Sequence, residues 1–235
     1  MPAQSKPILQ VKDLKVYYHV EAGAVKAVDG VTFNLEPGTK MGLVGESGSG
    51  KSTMALAFMR MIKPPGRIEG GQMLLDGVDL TSLSDEQMRR TRLSKISMIP
   101  QGAMNSLNPV VRIKNQIMDG MQDHGTVLSK EELEARVMKL LESVDLDPKV
   151  ANLYPHELSG GMKQRVCVAI AIAMNPDLII ADEPTSALDV VIQRQVMETI
   201  ERLQRELGAA VILIGHDMGL MAQSVERLAV MYAGK

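Results

Sequence analysis

The sequence holds 235 residues, 45% hydrophobic and 23% charged, enough apolar material for one sizeable α/β core. Its formal net charge of −2 gives the surface no bias toward nucleic acid or an anionic membrane, and an aromatic content of 3% leaves few platforms for stacking bases. The single cysteine excludes an internal disulfide and a cysteine-based zinc site; in Val166-Cys167-Val168-Ala169-Ile170 it reads as a small buried hydrophobe.

No apolar signal core follows Met1-Pro2-Ala3-Gln4-Ser5-Lys6, and no stretch approaches the roughly 18 apolar residues of a membrane-spanning helix. A cytoplasmic chain is expected, reaching a membrane only through a partner. Short β-rich runs at 8–11 and 31–35 precede the turn Glu36-Pro37-Gly38 and a buried strand at 41–44. A glycine-rich loop then opens a helix near Lys51, and strands are predicted at 72–75 and 96–99. The basic run Arg89-Arg90-Thr91-Arg92 reads as a solvated helix face. Residues 109–145 turn helical, with an amphipathic period over 131–141. A helix starts at Ser159, a strand runs over 178–181, a long helix over 190–207, and strands over 210–214 and 228–231. Strands alternating with helices predict a mainly parallel sheet, with no internal repeat or low-complexity segment.

Three motifs carry chemistry. In Gly45-Glu46-Ser47-Gly48-Ser49-Gly50-Lys51-Ser52, followed by Thr53, the glycines let successive N–H groups converge on phosphates. The helix at Lys51 adds the positive end of its dipole, the lysine a point charge, and the Ser52 hydroxyl a Mg²⁺ ligand. The strand ending in Asp182-Glu183 places two carboxylates where ligands bind in open parallel sheets. Asp182 suits the Mg²⁺ shell and Glu183 the orientation or deprotonation of an attacking water. Leu158-Ser159-Gly160-Gly161-Met162 is a second serine-capped, glycine-rich helix start, hence a second anion cradle. One nucleotide does not need two such cradles, so the second is expected to serve a nucleotide held by another copy.

In this order the residues resemble an ABC transporter nucleotide-binding subunit over the whole chain. Residues 45–53 resemble that family's Walker A, 158–162 its signature and 178–183 its Walker B. Ser186-Ala187-Leu188-Asp189 resembles the D-loop, Gln101 the Q-loop glutamine and His216 the switch histidine. The implied fold is α/β: a P-loop NTPase (ABC ATPase) core with an N-terminal antiparallel β subdomain and a helical subdomain. It would form one nucleotide-binding domain over 1–235, with a helical insertion at roughly 103–173. LSGGM in place of the usual LSGGQ is similar to the dipeptide/oligopeptide importer branch. So are Pro155-His156-Glu157, Lys163-Gln164-Arg165, Ser106-Leu107-Asn108-Pro109 and Ala229-Val230-Met231-Tyr232-Ala233-Gly234; Gly102-Ala103 and Gly215 depart from it.

The resemblance implies an ATP- and Mg²⁺-dependent ATPase whose two copies, as a homo- or heterodimer, sandwich two nucleotides. Gly45, Glu46, Ser47, Gly48, Ser49, Gly50, Lys51, Ser52 and Thr53 of one copy would bind together with Ser159, Gly160 and Gly161 of the other. Glu183, His216 and Gln101 would be catalytic, and Ser52, Gln101 and Asp182 would serve the metal. Asp189 would organise the dimer interface. Tyr18, with Tyr17 as alternate, would stack on adenine. Transmembrane permease subunits docking near 106–122 and, indirectly, a substrate-binding protein are the implied partners, at the cytoplasmic side of the membrane. Cargo stays open between peptides, nickel and oligosaccharides. Relatives in this branch continue past the final strand with a regulatory or partner-binding tail. The rival readings are a soluble ABC-type ATPase of nucleic-acid repair or translation and a non-hydrolysing regulatory module. Glu183 and His216 argue against the second; a single cassette without basic surplus argues against the first.

Overall fold

The computed structural model describes residues 6–102, 105–186 and 188–235; residues 1–5, Ala103, Met104 and Ala187 lie outside the described residues. In chain order the elements are β1 (Leu9–Val20), β2 (Gly23–Leu35), β3 (Lys40–Val44), α1 (Lys51–Phe58), β4 (Gly66–Leu75), β5 (Val78–Asp79), α2 (Asp85–Thr91) and β6 (Ile96–Ile99). There follow α3 (Ile113–Asp123), α4 (Lys130–Ser143), α5 (Gly160–Ile172), β7 (Leu178–Asp182), α6 (Val190–Leu207), β8 (Ala210–Ile214), α7 (Met218–Ser224) and β9 (Arg227–Val230). The chain divides into two compact units, one running to Arg92 and resuming at Gly208–Lys235, the other Leu93–Leu207.

The first unit carries an antiparallel sheet of order β2-β1-β4-β5 and, separately, β3 paired in parallel with both β8 and β9. The β1–β2 hairpin is far longer than the runs at 8–11 and 31–35 suggest. Its ladder is interrupted between Val11 and Leu14, where Asp13 sits at φ 48, and Gly30 at φ 87 and Gly71 at φ 92 lie in the facing strands. Each bulge shifts the inward face by one residue, so strict alternation fails over the whole strand. At Gly71 a Cβ would stand 2.5 Å from the Asp13 carbonyl oxygen, which is why glycine occupies the bulge. Leu9, Val11, Leu14 and Val16 nonetheless all point into the core. On α2, Ser84 and Gln87 form a reciprocal capping box. The basic run there divides. Arg89 and Arg90 both bind the Glu86 carboxylate at 2.8 Å, holding it well below its ordinary 4.5, at about 2. Arg92 instead turns inward and donates to the backbone oxygens of Met59 and Arg60 just past α1.

In the second unit β6 and β7 pair in parallel through Ile96–Leu178 to Ile99–Ala181, and β7 is buried along its whole length. Helix α5 packs against β6, and α3, α4 and α6 pack against α5. Ser129 caps α4 by accepting from the Glu132 amide, while the Glu132 side chain accepts from the Ser129 amide; Leu133, Val137 and Leu141 form its buried stripe. Cys167 is buried in α5, and burial alone pushes its thiol up to about 12. No helix among the described residues is long and apolar enough to cross a membrane.

Removing the α4 cap with Ser129→Ala should lower stability by about 1 kcal/mol in urea titration, with the slope of the transition unchanged. Because the folded pKa of Glu86 is depressed, its contribution is complete above about 4.5 and lost as pH falls toward 2. Carboxyl-detected NMR should therefore place its midpoint near 2 in the wild type and near 4.5 in Arg89→Ala/Arg90→Ala.

Candidate functional site

Between β3 and α1 the chain must reverse its hydrogen-bonding pattern, and residues 45–50 do so as a tight loop. Gly45, Gly48 and Gly50 take φ values of 153, 81 and 107, a region side chains rarely adopt. The reasons differ along the loop. A Cβ on Gly45 would run into the Met231 carbonyl oxygen, and one on Gly50 into the Ala27 carbonyl oxygen. At Gly48 nothing lies within 4 Å, so there the positive φ alone favours glycine. The loop is thus clamped at both ends against main chain and open in its middle, where Glu46, Ser47 and Gly48 are exposed.

Lys51 is buried at the start of α1, yet its ammonium is fully engaged by the loop. It donates to the Gly45 and Glu46 carbonyl oxygens at 2.8 and 2.7 Å and lies 3.4 Å from Ser49 Oγ. The lysine therefore sits inside the curl of backbone whose amides would face an anion. Gly50 O accepts from the Met54 amide, which places the first-turn amides of α1, those of Lys51, Ser52 and Thr53, at an open helix N-terminus. The braces supplied by Ala27 and Met231 have no sequence signal, because each acts through its backbone carbonyl. In the same unit His216 is exposed immediately past β8, with Gly215 donating to Leu43 O at 3.2 Å. Gly215 packs where a Cβ would stand 2.5 Å from Met221 Cε, a local reason for glycine before the histidine.

Tyr18 lies within β1, opposite Gly66, with its ring where a Cβ on Gly66 would come within 2.5 Å of Cε1. Tyr17 on the other face donates its hydroxyl to Asp29 Oδ1 at 2.5 Å and carries Lys26 Nζ 5.4 Å from its ring centroid. The Asp29 bond holds the Tyr17 hydroxyl protonated, raising it to about 12. Tyr17 is thus committed to a local network, whereas the Tyr18 ring packs beside Gly66.

The second unit brings together the glutamine after β6 and the carboxylate after β7. Gln101 Nε2 donates to Glu183 Oε2 at 2.9 Å. Since a carboxylate only accepts, this bond fixes the amide's orientation and turns Gln101 Oε1 away from Glu183. Glu183 itself sits at φ 46, a non-glycine residue in the left-handed region. Its carbonyl is held by the Ser186 amide at 3.1 Å and the Ser186 hydroxyl at 3.0 Å, and such stored backbone strain concentrates at functional positions. Asp182 is buried at the end of β7.

Ser159 N-caps α5, accepting from the Met162 amide at 3.3 Å, and is exposed with Gly160 and Gly161 half-buried beside it. Gly161 has a further role that its place in a cradle does not suggest. A Cβ there would lie 2.7 Å from Ile192 Cγ2, so glycine lets α5 close on α6. Asp189 caps α6, its Oδ1 accepting from the Val191 and Ile192 amides at 3.1 and 3.0 Å. That local task adds to the interface role implied for it; Ala187 of the same segment lies outside the described residues.

Residues 28–186, more than half the chain, match the family described as ABC transporter. The chain belongs to the ABC transporter family. It is 45% identical to the oligopeptide transport ATP-binding protein OppD of Bacillus subtilis over 97% of its own length, and spans 64% of that relative. To the dipeptide transport ATP-binding protein DppD of Lactococcus lactis it is 42% identical, over 97% of its own length and 66% of the relative's. Among solved structures, the dimeric bacterial ABC transporter cassette MJ0796 superposes with a TM-score of 0.85 at 29% identity, covering 96% of this chain and 95% of that one. The same cassette is known bound to ADP and Pi in a post-hydrolysis state, and superposes equally well at 30% identity, covering 96% of this chain and 95% of that one. The fold expected from the motifs, an ABC ATPase core with an antiparallel β subdomain and a helical one, is the fold observed.

The loop geometry ranks the glycines. Gly50→Ala should weaken binding of a nucleoside triphosphate at least about tenfold in calorimetric titration, because strain and a backbone clash coincide. Gly48→Ala, facing open space, should cost less than Gly50→Ala under the same conditions.

Proposed function

We propose that the chain is the ATP-binding and ATP-hydrolysing subunit of an ABC importer, with dipeptides or oligopeptides as cargo. The observation that carries the hydrolytic reading is the 2.9 Å Gln101–Glu183 contact at the end of a buried strand that terminates in Asp182. A regulatory module that only binds nucleotide has no need of a glutamate held in strained backbone with its carboxylate oriented by an amide. The names of the OppD and DppD relatives support peptide cargo.

In this reading residues 45–53 bind the phosphates of ATP, with Lys51 supplying charge and the backbone amides direction. Tyr18, whose hydroxyl is not drawn into the Asp29 network, offers its ring to adenine. Bound Mg²⁺ would offset charge on the β- and γ-phosphate oxygens, and the donors assigned to it are hard oxygens suited to that ion: the Ser52 hydroxyl, the Gln101 amide oxygen and Asp182. Glu183 orients a water and accepts its proton as the water oxygen bonds to the γ-phosphorus and the bond to the β–γ bridging oxygen breaks, giving ADP and phosphate. His216 contacts the γ-phosphate and stabilises the charge that develops there.

Ser159, Gly160 and Gly161, at the exposed N-terminus of α5, bind the nucleotide of a second ATP-binding subunit, identical or homologous. The dimeric state of the MJ0796 cassette supports that pairing. Closure of the dimer is a population shift driven by contacts that exist only with the γ-phosphate present. Transmembrane permease subunits docked near 106–122 would take up that motion on the cytoplasmic side of the membrane, with a substrate-binding protein delivering cargo from the other side.

Glu183→Gln keeps the hydrogen-bonding shape and removes the base. Turnover should fall by about 100-fold or more, while ATP drives the variant into a stable dimer by light scattering. A wild type without Mg²⁺-dependent turnover even when permease subunits are supplied, and a variant that stays monomeric with ATP, would overturn the proposal.

A further inference from the structure

The segment Met231-Tyr232-Ala233-Gly234 has no chemistry of its own, yet it touches the phosphate loop at both ends. It forms a closed turn, with Tyr232 and Lys235 exchanging backbone hydrogen bonds at 2.8 and 2.9 Å. At the loop's entry the Met231 amide donates to Val44 O at 2.7 Å, and the Met231 carbonyl occupies the space a Cβ on Gly45 would need. At its exit the Gly234 amide donates to Ser49 O at 3.1 Å, and Met231 Cε packs where a Cβ on Gly50 would stand 2.8 Å away. Gly234 is in turn fastened to β2, its carbonyl accepting from the Asp29 amide at 2.7 Å. Behind that amide, the Asp29 side chain is tied to the Tyr17 hydroxyl at 2.5 Å, with Lys26 Nζ at 3.7 Å.

The bond to Ser49 O has a directional consequence. In a trans peptide the carbonyl of one residue and the N–H of the next point opposite ways in one plane. Holding the Ser49 carbonyl toward Gly234 therefore aims the Gly50 N–H the other way, away from the C-terminal turn. Gly50 has no side chain, and Ser49 Oγ faces Lys51. Gly234 is suited to the task because it sits at φ 82 with its α-carbon pressed to β2: a Cβ would lie 2.7 Å from Lys26 O.

We propose that Gly234 is a positioning residue for phosphate binding: it fixes the peptide plane that presents the Gly50 amide and anchors that plane through Asp29 and Tyr17 to β2. The proposal rests on the ATPase reading for its ligand, but not for its geometry. It assigns the C-terminal turn a role in nucleotide affinity rather than in the chemical step.

The test uses the full chain, with equilibrium binding of the non-hydrolysable analogue AMP-PNP with Mg²⁺, steady-state ATPase kinetics, thermal melting and amide hydrogen exchange. Gly234→Ala should raise Kd and KM about tenfold with kcat within about twofold, and should speed Gly50 amide exchange in the nucleotide-free protein while core amides of β3 and β8 stay protected. Tyr17→Phe keeps the ring and removes only the anchor hydroxyl, and should shift Kd and Gly50 exchange in the same direction by about two- to threefold. Wild-type affinity and Gly50 exchange in Gly234→Ala would overturn the proposal. So would a loss confined to melting temperature, or a uniform loss of protection. If Gly234→Ala does not fold, unchanged affinity and exchange in Tyr17→Phe overturn it. A wild type that binds no nucleotide would sink the ATPase reading instead, while the Gly50 exchange rates still decide the positioning role.

Discussion

The approach of two backbone carbonyls, those of Ala27 and Met231, to Gly50 and Gly45 is the constraint on which the phosphate loop depends. Backbone amides are weak ligands one at a time and strong only when several converge, and convergence requires peptide planes packed closer than any side chain permits. The contacts leave no room for a Cβ at either end of the loop, so its curvature is imposed from outside as well as permitted from within. Lys51 then closes the curl by bonding to carbonyls of the same loop, which keeps a charge buried with its donors satisfied.

The second unit solves a different problem with the same economy of parts. In the proposed hydrolysis the carboxylate that takes a proton from water needs a fixed direction. Glu183 receives that direction from a strained backbone, from the turn closed by Ser186, and from the Gln101 amide. Because the glutamine follows β6 and the glutamate follows β7, and those strands pair in register, the contact is a consequence of the parallel ladder. Displacing one strand by a residue would separate the two side chains.

Elsewhere, residues that look functional serve architecture too. Gly161 permits α5 to close on α6, Asp189 caps α6, and Arg92 binds carbonyls beyond α1 while its neighbours Arg89 and Arg90 stay at the surface with Glu86. A motif position can carry both duties, because a helix start that offers amides to an anion must itself be capped and packed.

By itself the sequence determined the motifs and their order along the chain: the glycine–lysine loop, the apolar strand ending in Asp182-Glu183, the serine-capped start at Ser159, and the extents of α6 and β8. These are local signals, written in residue type and period. Tertiary structure alone decided the length of the β1–β2 hairpin, where bulges at Asp13, Gly30 and Gly71 erase the two-residue alternation. It also decided which groups brace the loop, since Ala27, Met231 and Gly234 act through main-chain atoms that every residue possesses, and which of two adjacent tyrosines is tied to Asp29. A contact made by backbone leaves no mark in side-chain identity unless it forces glycine, and then the sequence shows the glycine without showing what it lies against.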